Sequence, residues 1–195
     1  YNRESEVIYP PLQISNKSQN TPASSSEAGR AKYEIQNTGY FLVVSRLIPY
    51  KRIDIAVKAF NELKLPLKII GVGSEENRLR QMAESNIEFL GYLTDKELVE
   101  YYKSCQALIF PGIEDFGLTI LEAQSFGKPV IAFGEGGAKE TIIDGKTGIF
   151  FDSQTPNSLA VAVAKFKNMS FNPNDSVKRA EEFSFEKFRK NLLLE

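Results

Sequence analysis

The chain has 195 residues, the size of one α/β domain, and its 42% hydrophobic and 25% charged residues suffice for a buried core under a polar surface. A net charge of -1 supplies no field for nucleic acid or an anionic membrane, so neither is expected as a partner. Without histidine the chain has no Ser-His-Asp or Cys-His apparatus and no His-rich metal site, and its single cysteine, Cys105, cannot close an internal disulfide. Proton transfer near neutral pH falls to carboxylates, the substrate or another domain. No apolar stretch approaches the roughly 18–20 residues of a membrane helix. A start at Tyr1 with no signal-like segment reads as a piece of a longer protein, expected in the cytoplasm and at most peripheral at the inner membrane face.

Three segments are expected. Residues 1–12 hold a short strand at Val7–Tyr9, stopped by Pro10 and Pro11, and residues 13–38 are too rich in Ser, Asn, Gln and Lys to bury much, which predicts a flexible loop. The body, 39–195, opens with the apolar run Phe41–Val44, a strand covered on both faces. Ile53, Val57, Phe60 and Leu63 recur at helical spacing. Leu67–Ile70 is the second strand, followed by a helix over 75–84 and a strand at Ile87–Leu90. Asp95 is expected to cap a helix carrying Leu98, Tyr101 and Tyr102. A strand at Ala107–Phe110 and a helix from Leu118 to Phe126 follow, then a strand at Val130–Ala132, a short helix near Lys139–Ile143 and a strand at Gly148–Phe151. Helical patterns over 156–166 and 176–194 close the chain, with Phe183, Phe185 and Phe188 expected to dock the last helix. This rhythm predicts a Rossmann-like parallel sheet with helices on both faces, whose ligands bind beyond the carboxyl ends of the strands.

Two loops at that edge carry chemistry. Ser45–Arg52 places Arg46, Lys51 and Arg52 ahead of a helix, a pattern suited to a diphosphate or simply to a solvated basic loop. Pro111–Glu122 sets two carboxylates, Glu114 and Glu122, on either side of seven residues. They can accept hydrogen bonds from sugar or ribose hydroxyls, while N–H groups at Phe116–Thr119 can meet phosphate. The plainer alternative is that Glu114 and Asp115 complement a helix dipole and Glu122 is exposed. Gly71-Val72-Gly73 begins like a dinucleotide fingerprint but has Glu76 at the third glycine position, and Gly145-Lys146-Thr147 lacks the upstream glycine of a phosphate loop. Glycines at 134, 136 and 137 either admit a ligand to the backbone or make a turn. Cys105 reads as a packed thiol. No Asp-x-Asp pair or Cys/His cluster offers a metal site.

Phe41–Lys51, Phe110–Leu118, Glu122–Val130 and Gly136–Glu140, in this order and spacing, resemble the retaining group 1 glycosyltransferases of sequence family 4, over about residues 40–151. Ser5–Pro11 resembles the segment leading into that family's second domain. The resemblance implies one domain of a two-domain GT-B architecture, the C-terminal donor domain, with the acceptor glycan or lipid-linked sugar held by an absent N-terminal domain. It further implies that Arg46 and Lys51 bind the donor diphosphate, that Glu114 meets the transferred sugar and Glu122 the ribose, and that backbone at Phe116, Gly117 and Leu118 holds sugar and phosphate. The base would lie near Tyr92 and Leu93. The implied donor is a nucleoside-diphosphate sugar, with GDP-mannose suggested by the local sequence, and neither cofactor nor metal is implied. The isolated domain is expected to catalyse little. Two alternatives stand beside this: the donor-type domain of a sugar-nucleotide epimerase, and a non-catalytic nucleotide-sugar-binding or scaffolding domain.

Overall fold

Six short apolar runs form one parallel sheet, in the order β3-β2-β1-β4-β5-β6, with β1 Phe41–Val44, β2 Leu67–Ile70, β3 Ile87–Gly91, β4 Leu108–Phe110, β5 Val130–Phe133 and β6 Gly148–Phe151. The structure, a computed structural model, describes residues 39–192. The expected strand at Val7–Tyr9, the polar loop over 13–38 and the chain's last three residues lie outside the described residues.

Strand side chains alternate between two cores. Phe41, Val43, Leu67, Ile69, Ile109 and Ile131 meet α1 (Ile53–Leu63), α2 (Glu76–Met82) and α6 (Pro156–Phe166) on one face. There Phe41 stands edge-on to Phe60 and Phe166, with centroids 5.2 and 5.9 Å away. Leu42, Ile70, Leu108, Phe110, Val130 and Ala132 meet α3 (Asp95–Ser104), α4 (Leu118–Ser125) and α5 (Ala138–Thr141) on the other. Both faces are therefore covered, which is why the strands read as continuous apolar runs.

Several expected boundaries shift. Thr94, not Asp95, caps α3: its N–H and hydroxyl both donate to Glu97, at 2.9 and 2.6 Å, which leaves Asp95 as the first helical residue. The long helix expected over 176–194 is two helices, α7 (Pro173–Glu181) and α8 (Phe185–Leu192). The break falls where Phe183 turns inward, edge-on to Phe116 at 5.5 Å, and Ser184 restarts the helix by accepting from the Phe188 N–H. Phe183 thus docks as expected, whereas Phe185 is 60% exposed and does not. Cys105 is buried, and burial pushes its thiol up to about 12. No helix among the described residues is long and apolar enough to cross a membrane.

Candidate functional site

The chain moves outward from β1 through β2 to β3, then returns to lay β4 on the other side of β1. Loops leaving β1 and β4 therefore diverge, and a crevice opens between them at the strands' carboxyl ends. The cleft there has a volume of about 380 Å³ and is lined by Val44, Ser45, Arg46, Lys51, Phe110 and the 114–119 segment. Arg46, Lys51, Glu114, Phe116, Gly117 and Leu118, far apart in sequence, come together in it.

Glycines hold the basic loop in place. A Cβ on Gly71 would sit 1.8 Å from the Ser45 carbonyl oxygen, and one on Gly73 would sit 2.2 Å from that of Leu47. The loop after β2 thus packs directly on Ser45–Leu47, joined by a Leu47 N–H to Val72 carbonyl bond of 2.9 Å. From the opposite side Gly112 approaches Lys51, where a Cβ would come within 3.0 Å of its Cα. These are backbone contacts that any side chain would displace.

Lys51 and Glu114 form an ion pair across the cleft, with only 15% and 21% of their side chains exposed. Burial first, and the Arg46 guanidinium second, hold the Lys51 ammonium below the ordinary lysine value. Arg46 is exposed and donates to the Tyr50 hydroxyl at 3.3 Å, while Lys51 lies 5.1 Å from the centre of the Tyr50 ring. Sequence reasoning did not single out Tyr50, and only its place between two cations marks it.

α4 points its N-terminus into the cleft. Gly117 starts it at φ 81 with no side-chain cap; the Ile120 N–H donates to the Gly117 carbonyl at 2.9 Å, and the Leu118 and Thr119 N–H groups are left for solvent or a ligand. The 136–137 glycines support this loop from beneath: Gly137 N–H donates to the Glu114 carbonyl at 2.8 Å, and a Cβ on Gly137 would lie 2.4 Å from the Phe116 Cα.

Glu122 is set apart. It lies one turn along α4, on the face shared by Leu118 and Thr119, but it is only 7% exposed and does not line the cleft. The Tyr102 hydroxyl donates to it at 2.7 Å. Burial raises its pKa above the ordinary carboxylate value, with the Tyr102 hydrogen bond opposing and Asp95 adding to the rise. Tyr92, after β3, is 76% exposed, and Leu93 packs partly into the core; neither lines the cleft. Thr147, at the rejected phosphate-loop resemblance, is buried and accepts from the Ile143 N–H at 2.9 Å. Among the described residues no group of three acidic or cysteine side chains is placed to hold a metal.

The family model for glycosyl transferases group 1 matches residues 25–183. The chain is similar to an uncharacterized glycosyltransferase of Methanocaldococcus jannaschii, 29% identical over 141 residues that make up 70% of this chain and 40% of the relative. It is also similar to a GDP-mannose-dependent alpha-(1-6)-phosphatidylinositol monomannoside mannosyltransferase of Mycobacterium tuberculosis. That match is 30% identical over 162 residues, 74% of this chain and 42% of the relative. Among solved structures, the lipopolysaccharide outer core galactosyltransferase WaaB superposes with a TM-score of 0.74 at 21% identity, over 96% of this chain and 54% of its own. An Anabaena protein in complex with UDP superposes at 0.66 and 22% identity, over 80% of this chain and 48% of its own. At these identities the solved structures attest to the fold. The chain spans about two fifths of the length of the curated relatives it matches.

Proposed function

The chain belongs to the group 1 glycosyltransferases, and from that premise we propose that it is the donor domain of a retaining enzyme that moves a sugar from a nucleoside diphosphate to an acceptor hydroxyl. The observation that carries the reading is the β1/β4 cleft, where two cations, a half-buried carboxylate and an open helix N-terminus converge. When the glycosidic bond breaks, negative charge grows on the departing diphosphate. Arg46, Lys51 and the first N–H groups of α4 are in place before the reaction to receive that charge. Glu114, paired with Lys51, orients the sugar and faces the positive charge at its anomeric carbon. Glu122 receives the ribose hydroxyls, and the exposed edge at Tyr92 and Leu93 meets the base.

The relative from Mycobacterium tuberculosis is named for dependence on GDP-mannose, so GDP-mannose is the first donor to test. The acceptor, a growing glycan or lipid-linked sugar, would be presented by another domain, whose closure over the cleft completes the site. The test is transfer by the full-length protein. Arg46→Ala is expected to reduce kcat/KM on the order of 100-fold, the effect of one lost contact to developing charge. Unchanged kinetics in that variant would remove the cleft from the mechanism. Release of an altered sugar nucleotide without any acceptor would identify an epimerase instead.

A further inference from the structure

Glu122 presents a physical difficulty. A carboxylate in an almost closed environment is costly to ionise and free to choose among rotamers unless something holds it. Tyr102 is the side chain that holds it. Its ring is fully buried on α3, stacked on Phe126 with centroids 5.8 Å apart and planes 11° apart, so the hydroxyl cannot swing away. That hydroxyl donates to Glu122 Oε2 at 2.7 Å. A fully buried phenol, stacked on Phe126 and aimed at one carboxylate oxygen, fixes the plane in which the other oxygen lies.

The location gives this arrangement a consequence. Glu122 stands three and four residues past Thr119 and Leu118, on the helical face that begins at the cleft. A ligand group entering beside Leu118 would reach the carboxylate from above, while Tyr102 occupies it from the α3 side. The phenol also favours the ionised form, because a donor to a carboxylate stabilises its charge. An ionised carboxylate accepts hydrogen bonds from two hydroxyls, whereas a protonated one must spend an oxygen as a donor.

We propose that Tyr102 is a positioning residue that locks the Glu122 carboxylate in the orientation and charge state needed to take the vicinal hydroxyls of a ribose, and so makes the site selective for ribonucleotides over deoxyribonucleotides. This rests on the reading of Glu122 given above and adds the group that enforces it. Tyr102 itself touches no ligand.

Tyr102→Phe keeps the ring and its stacking and removes only the hydroxyl. The test is calorimetric titration of the unaltered chain, Tyr102→Phe and Glu122→Gln with UDP, GDP and ADP and with their 2′,3′-dideoxy counterparts. The unaltered chain should favour one ribonucleotide over its dideoxy form. Tyr102→Phe should weaken the ribonucleotide about tenfold, as expected for one lost hydrogen bond to a charged group, and leave the dideoxy form unchanged. Equal weakening of both forms would show a merely structural tyrosine and overturn the proposal. So would a Tyr102→Phe chain that binds like the unaltered one while Glu122→Gln loses its preference for ribose; that pair of results keeps Glu122 and discards Tyr102. No preference for ribose in the unaltered chain, or no binding of any of the six nucleotides, would refute the Glu122 reading itself and the proposal with it.

Discussion

Gly137→Ala isolates the support beneath the cleft from every other effect of a glycine substitution. Gly137 has φ -61 and ψ -15, a conformation that alanine adopts freely, so no backbone strain accompanies the change. The added methyl, however, would stand 2.4 Å from the Phe116 Cα and 2.5 Å from the Asp115 carbonyl oxygen, about 1 Å inside ordinary contact. Both obstacles are backbone, so the 114–117 loop must move by about that amount. Overpacking of this kind costs about 1–3 kcal/mol, and for a chain of this size each kcal/mol lowers Tm by about 2–4 °C. The larger effect falls on function, since a displacement of about 1 Å at a reacting group costs on the order of 100-fold in turnover. Gly145→Ala is the control. Gly145 has φ 72 with nothing within 4 Å of an added Cβ, so it meets strain of about 1–2 kcal/mol and no clash. Differential scanning calorimetry and nucleotide titration of both variants separate the two. Gly137→Ala should lose nucleotide affinity, and Gly145→Ala should lose only stability. If both variants melted early and bound nucleotide equally well, the glycine loop would be no support for the site.

Other expectations follow from the same geometry. Glu122→Gln should raise Tm at pH 7 by a few degrees, because burial makes the carboxylate costly to ionise and a glutamine oxygen can still accept from Tyr102; nucleotide affinity should fall at the same time. Lowering the pH should weaken nucleotide binding as Glu122 takes up a proton, and this limb should begin above pH 4.5 because its pKa is raised; titrations from pH 7 downward, with Glu122→Gln lacking that limb, check it. The stability contribution has the opposite sign, since the folded state holds this proton more tightly than the unfolded chain and gains as the pH falls. At the alkaline end, Lys51 should lose its charge below the usual lysine value of 10.5, so diphosphate affinity should decline earlier than ordinary lysine chemistry implies. Cys105 should resist thiol reagents in the folded chain at pH 8 and react on unfolding, because its pKa of about 12 leaves almost no thiolate.

The sheet was legible because each strand is covered on both faces, so Phe41–Val44 and Leu67–Ile70 could be read from apolar runs alone. The cleft residues were legible for a related reason. In a parallel sheet the loops after β1 and β4 flank one crevice where strand order reverses, so Arg46, Lys51 and Glu114 line the same cleft once the topology is known. What the residues did not reveal depends on contacts between distant segments. Tyr102 has the spacing of a core aromatic, and only the packing of α3 on α4 shows that its hydroxyl reaches Glu122. The glycines at 134, 136 and 137 read as a turn or a ligand approach; that Gly136 and Gly137 pack against the Glu114–Phe116 backbone shows only in the fold. The helix break at Ser184 was hidden because 176–194 keeps helical periodicity; the inward turn of Phe183 onto Phe116 decides it. In the sequence Asp95 looked as good a cap as Thr94, and only the Glu97 partner decides for Thr94.

The central claim is that the β1/β4 cleft binds a nucleoside diphosphate through Arg46, Lys51 and the start of α4. Its most direct test is mapping of backbone amide shifts in isotopically labelled chain titrated with GDP and UDP. The account predicts that the largest perturbations fall on Arg46, Lys51 and residues 114–119, and that Arg46→Ala abolishes them. Perturbations centred on another surface, or none at millimolar nucleotide, would contradict it.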